Sequence, residues 1–267
     1  MTALSDTLGR LRADNRPALV GYLPAGFPDV ETSIRATTAM VEAGADVVEV
    51  GLPYSDPVMD GPIIQAAADA ALSAGVRVTD VFEVVRQTAA TGVPTVVMTY
   101  WNPVERHGVA RFAATLAEAG GCGLITPDLV PDEAEEWSNA AKDNGLDQIF
   151  LVAPSSTDER LAMTAAASSG FVYATSVMGV TGSRAATSTH APELVRRLRG
   201  VTDLPVGVGL GVSNGDQAAE VGGFADAVIV GSALVRCLLH AHGDHDAGID
   251  ALRDLTADLR AGVERAR

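Results

Sequence analysis

Lysine is almost missing from this chain: Lys142 is the only one among 267 residues. A Schiff-base mechanism, which needs a lysine amine against a carbonyl substrate, would rest on that residue alone. Cysteine is nearly as scarce. Cys122 and Cys237 are the only two and show no metal or redox spacing, which suits a reducing compartment and makes a cytoplasmic location the expectation. Positive charge is in deficit as well, with 19 Lys and Arg against 34 Asp and Glu and a formal net charge of −15. Such a chain is repelled by nucleic acid and by anionic membrane surfaces, so small molecules or proteins are the expected partners. No stretch approaches the run of about 18 apolar residues that a membrane helix needs. The opening MTALSDTLGRLRADNR puts Leu4, Leu8 and Leu11 at helical spacing but carries Asp6 and Asp14. That is unlike a targeting segment, and it predicts a short covering helix.

What is present is an alternation. Short Val/Ile/Leu-rich runs bounded by Gly, Pro or Asn alternate with Ala-rich stretches of helical period. Eight strands are predicted: from Ala18, Asp46, Pro94, Gly123, Gln148, Phe171, Pro205 and Ala227. Helices are predicted near 31–42, 78–91, 109–119, 132–143, 158–168, 191–199, 215–221 and 249–267. Strand–helix alternation implies parallel strands, and eight units without a second composition zone favour an α/β fold, a (β/α)8 TIM barrel spanning 1–267 as one domain, with the N-terminal helix as an extra. An open doubly wound sheet is the alternative on pattern alone. Lys142 then lies at the end of the fourth helix, at the barrel's amino-terminal face, away from where barrel enzymes work.

The stretch VVEVGLPYSDPVMDGP, from Val47, holds Glu49 near the end of a strand and, eleven residues on, Asp60. On a strand, Val47, Glu49 and Gly51 share one face and Val48 and Val50 the other. The two valines suit the helix-packed exterior, which aims Glu49 into the barrel near the carboxyl end of its strand. Burial there raises a carboxyl's pKa toward the range useful to a general acid or base; a glutamate satisfied by internal hydrogen bonds is the plain alternative. Asp60 follows in a Pro/Gly-rich loop. After the seventh strand comes GVGLGVS, with Gly209 and Gly211, and after the eighth VGSALV, with Gly231 and Ser232 opening a helix. Two such turns in those two places fit a phosphate monoester bound largely by backbone. The sixth loop, Ser176 to His190, is small, polar and Gly-containing, and reads as a mobile lid. His240, His242 and His245 fall in a Gly/Asp-rich loop, with His240 roughly 12 Å along the helix axis from Ser232, so a solvated loop is expected there and no metal site.

These strings, with LITPDLVP from Leu124 and GVTGSR from Gly179, resemble the tryptophan synthase alpha chain family along essentially the whole chain, in order. The resemblance implies a retro-aldol cleavage of indole-3-glycerol phosphate to indole and glyceraldehyde 3-phosphate without a cofactor in this chain. Indole would pass to a pyridoxal-phosphate beta chain in an alpha2beta2 assembly. It further implies proton transfer by Glu49 and charge stabilisation by Asp60. Phosphate contacts would come from Gly182, Gly209, Gly211, Gly231 and Ser232, and an indole slot from Tyr22, Tyr100, Ile125, Tyr173 and Leu210. The lid would carry Thr181, Gly182 and Arg184, and a partner interface Pro53, Ser55, Asp56, Pro57 and Asp128. Leu210 and Tyr22 depart from the family, where phenylalanine is common at both, and Ala174-Thr175 replaces bulkier residues. Three other readings stay open: a different phosphosugar barrel enzyme, a non-catalytic phosphate-binding chain, and a free-standing indole-releasing lyase.

Overall fold

A computed structural model describes residues 2–175, 190–209 and 211–267. Among them the strands form one parallel sheet of nine segments: β1 (Ala18–Pro24), β2 (Val47–Gly51), β3 (Thr95–Met98), β4 (Gly123–Ile125), β5 (Asp147–Ile149), β6 (Leu151–Val152), β7 (Val172–Thr175), β8 (Val206–Gly209) and β9 (Ala227–Val230). Their order is β5-β4-β3-β2-β1-β9-β8-β7-β6. The two ends of that order are one strand in two pieces. β5 pairs with β4, β6 pairs with β7, and only Phe150 separates them; its carbonyl still accepts the Tyr173 amide at 3.1 Å. Covalent continuity from Ile149 to Leu151 therefore closes the ring, and the eight predicted strands form a (β/α)8 barrel.

Side-chain alternation sorts into two cores, as a period of two requires. Ala18, Val20, Val47, Val96, Ile125, Ile149, Phe171, Ala227 and Ile229 fill the barrel. Leu19, Val48, Val50, Val97, Leu124, Val208 and Val230 face the helices. The first helix, α1 (Ala3–Ala13), belongs to the inner core: Leu4, Leu8 and Leu11 are buried against the strand residues at the barrel's amino end. Thr2 caps α1 by accepting the Ser5 amide at 3.1 Å, and its hydroxyl donates to Asp147 at the start of β5. The expected covering helix is thus the plug of the barrel floor. Leu8→Ala removes a fully buried isobutyl group from that plug and is expected to cost about 2–5 kcal/mol. Chemical denaturation measures it, and a loss near zero would mean that α1 is dispensable for the inner core.

The helices that follow are α2 (Val30–Glu42), α3 (Pro62–Ser73), α4 (Val78–Ala89), α5 (Trp101–His107), α6 (Val109–Glu118), α7 (Glu135–Asn144), α8 (Asp158–Ala167), α9 (His190–Arg199), α10 (Gly215–Gly222), α11 (Ser232–His240) and α12 (His245–Glu264). Two of them were not foreseen. α3 announces itself with Gly61-Pro62, a proline at the first helical position, which is a recognised start signal. α5 is seven residues long, and its opening Tyr100-Trp101 reads as a continuation of the β3 run. The predicted helix over 132–143 is instead a short 3-10 turn, Pro131–Glu133, followed by α7.

Charges at the floor are matched. Asp46 accepts the Leu19 amide at 2.8 Å and takes Arg16 and Arg260; Asp226 accepts the Val206 amide at 3.1 Å and meets Arg199 and Arg267. Both acids precede a strand and accept an amide from the start of its neighbour.

Candidate active site

The opposite, carboxyl-end mouth is built differently. Glu49 stands on β2, in register with Tyr22 of β1 and Val96 of β3. It is 1% exposed, and its Oε2 has no hydrogen-bond partner among the described residues. Its pKa is pushed up to about 8, first by burial and then by the charge of Asp60. Asp60 sits between β2 and α3, its carbonyl held by the Gln65 side chain at 2.7 Å. Burial raises its pKa to about 6, and a hydrogen bond from the Tyr100 hydroxyl works the other way, favouring the charged form. Among the described residues no arginine, lysine or histidine pairs with either carboxyl, in contrast to Asp46 and Asp226 below. Carboxyls withdrawn from water without a cation are costly, and buried Glu49 and half-buried Asp60 have pKa values set apart.

Three tyrosines surround the pair. Tyr22 is buried and Tyr173 half-buried, and both hydroxyl pKa values are pushed well up, by loss of solvent first and by the two carboxyls next. Tyr100 is raised to about 12 by burial and then by Asp60, while the Met59 amide donates to its oxygen at 3.0 Å. Glycines make room for the rings. A Cβ on Gly51 would lie 2.3 Å from the Tyr22 hydroxyl, and one on Gly209 would lie 2.6 Å from that of Tyr173. Gly231 borders the Tyr22 ring at 3.2 Å from where its Cβ would be. Gly209 and Gly231, expected at a phosphate site, therefore also seat aromatic rings.

Neighbouring strands β8 and β9 bring the two glycine turns together. Gly211 takes φ +68°, the left-handed region that glycine tolerates. Ser232 is the first residue of α11, buried, behind Gly231, which offers no side-chain cap. The amides at that helix start are oriented for an anion. Ile125 ends β4 inside the barrel core.

Around the rim, Ser55 and Asp56 are exposed and joined by a hydrogen bond of 2.5 Å, and Pro57 is half-buried. Pro53 is buried, so it shapes the loop from within instead of presenting a docking surface. The sequence reading missed Val58, 71% exposed beside them, and Tyr54, whose ring lies 5.2 Å from that of Tyr100. Asp128 accepts the Trp101 amide with both oxygens, at 2.9 and 3.1 Å. Thr181, Gly182, Arg184 and Leu210 lie outside the described residues, as does the expected lid apart from His190. His245 has a structural place: its Nδ1 meets the Thr32 hydroxyl at 3.0 Å.

A closed parallel barrel with two carboxyls of separated pKa at its carboxyl-end mouth, unpaired with any cation among the described residues and beside an amide-lined turn, fits an acid–base enzyme of the (β/α)8 class. Comparison with known proteins narrows that class. The chain belongs to the tryptophan synthase alpha chain family, whose model matches residues 8–264. It is 60% identical to the tryptophan synthase alpha chain of Acidothermus cellulolyticus over 265 residues, covering 99% of this chain and 98% of that one. With the Salinispora arenicola alpha chain it shares 63% over 263 residues, 98% of each. Among solved structures, Mycobacterium tuberculosis tryptophan synthase superposes with a TM-score of 0.92 at 57% identity, covering 97% of both chains. The alpha subunit from Legionella pneumophila gives 0.88 at 33% identity, covering 99% of both. The activity is that of the family: a lyase step of tryptophan biosynthesis that cleaves indole-3-glycerol phosphate.

Proposed function

We propose that Glu49 carries the proton in this cleavage and that Asp60 stabilises the charge it creates. To release indole, ring carbon C3 must be protonated while the glyceryl hydroxyl loses its proton and becomes an aldehyde. A carboxyl with a pKa near 8 holds its proton at neutral pH and can give it to C3; the carboxylate left behind can then take the hydroxyl proton, completing the cycle. Protonated C3 leaves positive charge on the indole nitrogen. A fixed carboxylate beside that N–H, already charged above pH 6, meets the charge where it develops. The observation that carries this reading is the pair of buried Glu49 and half-buried Asp60, with no cation paired to either among the described residues and with pKa values set apart.

Tyr22, Tyr100, Ile125 and Tyr173 wall the indole, with Leu210 assigned to the same slot by resemblance. Gly209, Gly211, Gly231 and Ser232 take the phosphate, joined by Gly182. This chain needs no cofactor of its own for such chemistry. Its partner is a pyridoxal-phosphate beta chain in an alpha2beta2 assembly, docked on the mouth through Ser55, Asp56, Pro57 and Asp128, with Pro53 stiffening the loop from inside. The setting is cytoplasmic. Among the described residues no helix is long and apolar enough to cross a membrane.

Spectroscopic detection of indole from indole-3-glycerol phosphate tests the reading, run with and without a beta chain. Indole release that rises when the beta chain is titrated in is the expected result. No release under either condition would overturn the assignment, and fast release with no association would make this a free-standing lyase.

A further inference from the structure

Between the outer rim and Asp60 runs a continuous set of contacts. Thr99 continues β3, its amide donating to the Ile125 carbonyl at 3.1 Å. Trp101 opens α5, its amide donating to both oxygens of Asp128 at 2.9 and 3.1 Å. The Tyr100 backbone is therefore pinned on both sides, by β4 and by the loop that follows it. Tyr100 itself is the N-cap of α5 in an extended conformation, with no side-chain cap bond, so its side chain is free to cross to the loop after β2. There its oxygen accepts the Met59 amide at 3.0 Å, and its proton goes to the Asp60 carboxylate. The Tyr54 ring packs against the Tyr100 ring at a tilt, 5.2 Å between centroids. Nothing else among the described residues fixes the Asp60 carboxylate by a hydrogen bond.

We propose that Asp128 is a positioning residue for the reaction: it anchors Trp101 and so holds the Tyr100 hydroxyl where it orients the charged Asp60. The inference rests on the role assigned to Asp60 above. The geometry explains why an aspartate at the rim is spent on a single backbone amide: α5 is too short to hold its own first turn firmly, and the fourth loop supplies the anchor. If Asp128 shifts, the ring of Tyr100 swings with the backbone and the Asp60 carboxylate loses its donor. Asp60 is faced by Tyr22 from β1, Glu49 from β2, Tyr100 from the N-cap of α5 and Tyr173 from β7. Of these, Tyr100 alone is bonded to it.

The test is the pH dependence of kcat for full-length variants. Tyr100→Phe keeps the ring and removes the donor, so Asp60 should ionise at higher pH. The acid limb is expected to move up by about half a unit or more and kcat to fall about tenfold, the scale of a lost hydrogen bond to a charged group. Asp128→Ala should shift the limb in the same direction. Asp128→Asn, which still offers an oxygen to the Trp101 amide, should recover most of the difference. Because the two residues act in series, the Asp128→Ala/Tyr100→Phe double variant should be no slower than Tyr100→Phe alone. An Asp128→Ala variant that is slower with an unmoved acid limb, or whose loss multiplies with that of Tyr100→Phe, would overturn the proposal. Asp60→Asn is the reference: if its profile keeps the acid limb, the role of Asp60 has failed and not the relay.

Discussion

Glu49→Gln is expected to lower turnover at least a hundredfold, the scale of general acid–base catalysis, while substrate binding largely survives. Glutamine matches glutamate in size and can still donate a hydrogen bond, but it cannot give up and recover a proton. The same substitution should make the fold more stable. The glutamate pKa of about 8 in the folded chain lies above its ordinary value of 4.5. Between those values the folded state holds a proton that the unfolded state releases, so stability is highest at low pH and falls as pH rises through the window. Glutamine never ionises and escapes that fall. The Tm difference between variant and parent should therefore widen from pH 5 to pH 8. Near-normal turnover would move the acid–base role elsewhere, and a Tm difference independent of pH would mean that Glu49 is not buried in its protonated form.

Asp60→Asn should cut kcat by about a hundred- to a thousandfold, the usual loss when a preorganised group facing transition-state charge is removed. The parent profile is expected to have two limbs: rate rises with pH as Asp60 ionises near 6 and falls as Glu49 loses its proton near 8. Asparagine cannot ionise, so the acid limb should vanish and the alkaline limb remain. Steady-state kinetics from pH 5 to 9 measure both. A small loss with both limbs in place would show that the charge at this position is not used. The two carboxyls interact, so the limbs belong to the pair until each variant separates them.

Much of this was legible because local period encodes local direction. The alternation in Val47 to Gly51 aims Glu49 inward, and the structure places Val47 in the inner core and Val48 and Val50 in the outer one. Leu4, Leu8 and Leu11 announced a one-sided helix, although not that it would plug the barrel. The glycine turns after the last two strands were visible in the sequence, and pairing of β8 with β9 brings them together. That Pro53 is buried was not legible, because a proline in a loop carries no signal of which side it faces. Val58 was missed because a lone apolar residue between Pro57 and Met59 does not say whether a neighbour covers it.

The sequence alone determined the class of the fold, the inward carboxylate and the motif strings that place the chain in its family, since each depends on residues within one strand, helix or turn. Tertiary structure decided what surrounds the two carboxyls. Tyr100 reaches Asp60 across forty residues of chain. Asp128 anchors α5 from the next unit, and Tyr22 seats itself between Gly51 of β2 and Gly231 beyond β9. That no described cation lies beside Glu49 and Asp60, while the floor acids Asp46 and Asp226 are matched by arginine, is equally a product of the assembled barrel. A carboxyl's pKa depends on what lies within a few ångströms in space, and closing the ring brings together loops that are far apart in the chain.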